Sequence, residues 1–214
     1  MVSADIFKEQ VCRSDWDLHA QLYAFLGNSF LGPMDEELSI GLTDTFWSMF
    51  ASDGDNEHVR HGIERLVSFA RSVQDMPREQ AMQKVNVEYA QLFIGPPRPQ
   101  AVAWESMAQG CHVGFGEPTF IMRSILRNAQ LSIAGPSNQY EDHIGIELMF
   151  ISACCQKFAE NTPSIQDEMG VREFIEQHPL SWIEVFYNSV KQSAPDGYYA
   201  GLAELTWGLL QAEV

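Results

Sequence analysis

The chain has 214 residues, 45% of them hydrophobic and 20% charged, a composition that excludes disordered and fibrous classes and fits one globular domain, residues 1–214. With 13 Lys plus Arg against 29 Asp plus Glu, the formal charge is −16. That charge repels phosphate backbones and makes nucleic acid a poor direct partner; a basic or apolar-basic ligand suits it better, but on charge alone the preferred reading is that net charge simply keeps the protein dispersed. The opening segment Met1-Val-Ser-Ala-Asp-Ile-Phe-Lys lacks the basic stretch followed by an apolar one that a secretory signal needs. The longest apolar run, 148–155, is far short of the roughly 20 residues that span a bilayer. A cytoplasmic protein without a transmembrane segment is the expectation. Four cysteines, Cys12, Cys111, Cys154 and Cys155, form no CxxC pair and no disulfide framework, and read as reduced, mostly buried thiols.

In chain order, Trp16, Ala20, Tyr23, Leu26 and Phe30 recur at helical spacing, and Leu38, Leu42, Phe46 and Met49 continue it after the Gly32-Pro33 break. Two helices therefore open the chain. Asn56 is placed to cap a third, with Val59, Ile63, Leu66, Ala70 and Val73 along one face. A fourth starts near Pro77, carries Ala81, Val85, Tyr89, Leu92 and Phe93, and must stop at Gly95-Pro96-Pro97. Residues 95–116 are rich in proline and glycine (Gly110, Gly114, Gly116). Irregular segments this long are often functional, so this loop is the first candidate site.

Glu117-Pro118 restarts a helix through Ile121, Ile125 and Leu126, and residues 134–137 (Ala-Gly-Pro-Ser) break it; the 128–137 connection is a candidate hinge. The most apolar helix follows, striped by Ile144, Leu148, Ile151 and Cys155. Shorter helices are expected over 171–177, 181–192 and 198–211. With no strand pattern and no repeat, the fold class is all-α, a single-domain helical bundle of about ten helices.

Enzyme signatures are absent: there is no phosphate-binding glycine loop, nucleophile elbow or HExxH, so no catalytic residue is assigned. The polar constellation is Tyr140-Glu141-Asp142-His143 with Glu147, where His143 and Glu147 lie one turn apart on one face. They read either as a hydrogen-bonded pair beside a helix N-terminus or as part of a cation site, for which His112 and His178 are scattered further candidates. Trp104-Glu105-Ser106 sets a large aromatic beside a carboxylate, a combination suited to arginine. Trp104 as a core plug is an equal reading. Tyr89, Phe93 and Trp182 read as core, Gly95 and Pro96 as helix termination.

In order along the chain, these pieces resemble the TorD/DmsD family of redox-enzyme maturation chaperones. Tyr89-Ala-Gln-Leu-Phe-Ile-Gly-Pro96 is similar to its Tyr-x-x-Leu-Phe-x-Gly-Pro, and Trp104-Glu-Ser106 to its Pro-Trp-Glu-Ser. Tyr140-Glu-Asp-His-Ile-Gly-Ile-Glu-Leu148 resembles Glu-Pro-Glu-Asp-His followed by Glu-Leu, and His178 with Trp182 keeps His-x-x-x-Trp. Ala103 stands where the family has Pro, and Gln139-Tyr140 where it has Glu-Pro; these changes free the approach to the central helix and remove one carboxylate. The resemblance implies a cytoplasmic, non-catalytic chaperone with no cofactor of its own. It would bind the twin-arginine leader, and in some cases the mature domain, of a molybdopterin-containing oxidoreductase catalytic subunit of DMSO/TMAO reductase type, assisting cofactor insertion and proofreading before export. Such a protein would be a monomer or a domain-swapped dimer.

On that reading Trp104, Glu105, Ser106, Tyr140, Glu141, Asp142, His143 and Glu147 form the leader site, with Glu105, Glu141, Asp142 and Glu147 toward its arginines. Tyr89, Phe93, Gly95, Pro96, His178 and Trp182 are structural motif positions. Two other readings stand beside it: a metal-dependent enzyme or carrier using Asp142, His143 and Glu147, and an all-α interaction scaffold.

Overall fold

A computed structural model describes residues 3–50, 56–95, 97–112, 115–133 and 139–214, with side chains from residue 15 onward. Pro96, Gly114, the Cys12 thiol and residues 134–137 of the expected hinge lie outside the described residues. The described chain is all-α: α1 (Ser3–Leu31), α2 (Asp44–Ser48), α3 (Glu57–Val73), α4 (Arg78–Tyr89), α5 (Glu105–Ala108), α6 (Glu117–Asn128), α7 (Ile144–Glu160), α8 (Ile165–Gln177), α9 (Pro179–Ser193) and α10 (Tyr198–Ala212). Among the described residues no helix is long and apolar enough to cross a membrane.

Helix boundaries follow local chemistry. The Asn56 side chain accepts from the amides of His58 and Val59 at the start of α3, as its capping chemistry predicts. α4 begins after Pro77 and passes into one π-helical turn, Ala90–Ile94. That turn ends at Gly95, whose φ of 77° is a left-handed conformation that glycine adopts without a Cβ clash. The N-terminal amides of α10 are held from afar: Glu88 accepts from Tyr198 N at 3.1 Å and Tyr199 N at 2.9 Å. Burial raises the Glu88 carboxyl above its ordinary pKa, against the opposing pull of those two amides.

Three elements differ from expectation. The second helix is split: Leu38–Leu42 is a 3-10 turn, Thr43 is extended, and α2 starts afresh at Asp44. α8 begins at Ile165, six residues before the expected 171, because Ser164 and Asp167 form a capping box that starts a polar first turn. In α6 the inward face carries Thr119, Met122 and Leu126, while Ile121 is exposed. That helix ends at Asn128, with Gln130 left-handed at φ 58° and Leu131 N donating to Leu126 O at 2.9 Å, a closure that stops a helix without glycine.

α7 is central. It lies along α1, while α10 packs against α3 and α9. Leu26, Phe30, Leu148, Ile151, Phe186 and Tyr199 belong to one continuous apolar cluster that reaches every long helix from α1 to α10. Tyr89 and Phe93 join it, their rings packed on Tyr199. Cys155 is buried and Cys154 half-buried, both free, with burial pushing their thiols up to about 12 and about 11.

Candidate functional site

The loop after Gly95 is tied down at residues 100–102. The amides of Gln100 and Ala101 both donate to Leu92 O at 2.9 Å, and Val102 N donates to Ser189 Oγ of α9 at 3.1 Å. It then runs antiparallel to the entry of α7: Glu105 N donates to Asp142 O at 3.0 Å, Ile144 N donates to Ala103 O at 2.9 Å, and Trp104 pairs with His143. The two motifs singled out in the sequence thus meet as backbone partners.

Side chains reinforce the junction. Asp142, fully buried, accepts from Ser106 N at 3.0 Å and from the Thr119 hydroxyl at 2.9 Å, joining α5, α6 and α7. His143 caps α7: its Nδ1 accepts from Gly145 N at 3.0 Å. Burial holds its imidazole down to about 3, so the ring is neutral and its proton sits on Nε2. The Trp104 ring stands edge-on to it at 5.2 Å. His143 and Glu147 do not pair through their side chains. Glu147 instead accepts from Trp182 Nε1 at 3.2 Å. Burial, with the Glu105 carboxylate beside it, pushes the Glu147 carboxyl well above the ordinary carboxylate range, and the Trp182 donor only partly offsets this. Glu105 faces His178 Nδ1 at 3.0 Å and accepts from Gln109 Nε2 at 2.8 Å.

Glu105, Ser106, Asp142, His143 and Glu147 are all nearly inaccessible, Trp104 is half-buried, and Tyr140 is 42% exposed. Glu141 lies at the rim, where its carboxylate takes a bidentate contact from Arg123, Nε at 2.6 Å and Nη2 at 3.0 Å. That guanidinium holds the Glu141 carboxyl below its usual value. The ligand trio Asp142, His143 and Glu147 does not converge, because the first two are engaged by amides and a hydroxyl. The donor group that does converge is Glu105, Glu147 and His178. Thr119, Gln109 and Arg123 belong to the site without any signal in motif or spacing; only folding brings α6 beside the entry of α7.

Beside Glu141 the surface is grooved. A cavity of about 410 Å³ is lined by Glu141, Arg123, Leu126, Leu131 and Ile133. It shares Leu126, Leu131, Ser132 and Ile133 with an apolar one of about 370 Å³ that continues along Ile146, Met149 and Phe150. Phe115 bridges Phe120 and Tyr140 nearby, ring centroids at 5.0 and 5.1 Å.

Fold and site together define an all-helical protein built around a loop-to-helix seam with a rim of acid, aromatic and apolar groups. The profile of the family described as nitrate reductase delta subunit matches residues 52–188. The TorD chaperone of Vibrio cholerae serotype O1 (strain M66-2) is 24% identical over 201 residues, 91% of this chain and 89% of that protein. That of Vibrio atlanticus is 25% identical over 194 residues, 87% of this chain and 88% of its own. A probable Tat proofreading chaperone, DmsD of Haemophilus influenzae, is 29% identical over 131 residues, 60% of each chain. The chain belongs to the nitrate reductase delta subunit family, as a member of its TorD/DmsD group.

Proposed function

We propose that this chain is a cytoplasmic chaperone that binds the twin-arginine leader of a molybdopterin-containing oxidoreductase subunit and holds it until the cofactor is inserted. Family membership supports the chaperone role. The observation that carries leader recognition is the rim itself, where a carboxylate already in bidentate contact with a guanidinium opens onto an apolar groove through shared walls.

A leader arginine would exchange with Arg123 on Glu141, and the apolar segment behind it would lie along Leu131, Ile133 and Met149. Tyr140 and Trp104 flank the arginines. The remaining members of the expected site act from beneath: Asp142 and Ser106 fix the loop, His143 starts α7, and Glu105 and Glu147 join them to α9. Orientation comes from the bidentate contact, and most of the affinity from apolar burial.

Titration of a labelled leader peptide by fluorescence anisotropy tests this. Glu141→Gln should weaken binding about threefold to fivefold, as loss of a solvent-exposed ion pair worth up to about 1 kcal/mol predicts, and replacing both leader arginines by alanine should weaken it at least as much. A leader that binds no more tightly than a scrambled peptide would remove the reading.

A further inference from the structure

Glu105 on α5, Glu147 on α7 and His178 at the α8–α9 junction come from three distant parts of the chain, yet one donor atom of each lies within 4.8 Å of the others. They are 3%, 0% and 6% exposed. The carboxylates are oriented from outside, Glu105 Oε1 by Gln109 Nε2 at 2.8 Å and Glu147 Oε2 by Trp182 Nε1 at 3.2 Å. Metal-binding carboxylates are commonly steered by outer hydrogen bonds of this kind. The other oxygen of Glu147, Oε1, is buried and receives no N–H donor; without a cation the Glu105 and Glu147 carboxyls share a proton, which a metal ion would displace. Among the described residues no lysine or arginine is paired with either carboxylate; the ionic partner of Glu105 is His178. Two buried acids therefore face each other and one imidazole, with no fixed cation between them.

We propose that Glu105, Glu147 and His178 bind one divalent cation of the Zn²⁺ type, which clamps α5 to α7 and to the α8–α9 junction. One imidazole nitrogen and two carboxylate oxygens are a borderline ligand set that suits Zn²⁺ better than Ca²⁺ or Mg²⁺, which want six or more oxygens. Bonds of about 2.0–2.2 Å put tetrahedral ligand atoms about 3.4 Å apart, so side-chain shifts of about 1 Å close the site around the ion. A water or an incoming group takes the fourth position. The site stands independently of leader binding, since none of its three residues lies on the rim.

The test uses the full chain, stripped with chelator and then dialysed against Zn²⁺ alone. Elemental analysis should find one Zn²⁺ per chain, and the thermal midpoint should rise by roughly 5–10 °C at a hundredfold excess over Kd. Glu147→Gln, which keeps an acceptor for Trp182, and His178→Gln should each weaken Zn²⁺ binding at least tenfold while keeping the helical circular dichroism. Cys111→Ser and Cys154→Ser should leave binding unchanged. If either ligand variant fails to fold, the stripped wild type still decides: a midpoint that moves with neither Zn²⁺ nor chelator overturns the site. So does stoichiometric binding that survives both ligand substitutions.

Discussion

Asp142 joins three segments through one residue: its carboxylate accepts from Ser106 N and the Thr119 hydroxyl, and its carbonyl accepts from Glu105 N. Alanine would strand an amide and a hydroxyl away from water, so Asp142→Ala should lower the unfolding free energy by about 2–3 kcal/mol. Asparagine keeps one oxygen, and the Thr119 hydroxyl can turn to accept, so Asp142→Asn should cost less than half as much. Urea denaturation of the two variants checks this; equal losses would mean that the side chain's volume matters and its bonds do not. Glu141 is the contrasting case at the rim. Its pKa is lowered in the fold, first by the hydrogen bond from Arg123. The contact therefore stabilises fully above the ordinary value of 4.5 and is lost as the pH falls through the lower, folded value. Because Arg123 is solvent-exposed, solvent screening keeps the pair weak. The stability gap between wild type and Arg123→Gln should be small at neutral pH and should close in acid, read from urea midpoints across the range. A gap that widens in acid would contradict the pairing.

At the scale of elements, the α1–α7 crossing depends on two glycines that touch backbone to backbone. A Cβ on Gly27 would come within 2.9 Å of Gly145 O, and one on Gly145 within 2.7 Å of Gly27 O. Gly145→Ala should therefore destabilise by roughly 1–3 kcal/mol through overpacking, despite alanine's better helix propensity. Gly170→Ala on α8 meets nothing within 4 Å and should stabilise by up to about 1 kcal/mol. Equilibrium unfolding separates the two, and the same sign for both would refute the close crossing. Most helices were legible because burial repeats with their period: Ile63, Leu66, Ala70 and Val73 are inside as their spacing requires. Where polar residues set the geometry, the period misled. The polar first turn of α8 hid its start, and Ile121 yielded the inward face of α6 to Thr119 and Met122 because Thr119 must reach Asp142.

For the molecule as a whole, the motifs of the site were legible but not their depth. Nothing in Glu105, Asp142 or Glu147 as sequence says that partners 35 to 73 residues away will cover them; that depends on how α5, α7 and α9 cross. The formal charge of −16 was legible at once, and it bears on how a basic leader arrives. Long-range attraction raises the encounter rate and is screened by salt, whereas apolar contact in the groove sets how long the complex lasts. At about 25 cal/mol per Å², a few hundred Å² of apolar burial outweighs a solvent-exposed ion pair worth about 0–1 kcal/mol. Raising salt from about 0.01 M to 1 M shortens the screening length from about 30 to 3 Å. The association rate of the leader should then fall about tenfold or more while its dissociation rate changes less than about threefold, both measured by stopped-flow fluorescence. The opposite split would place the hold on the leader in the Glu141 contact and leave the apolar groove as a bystander.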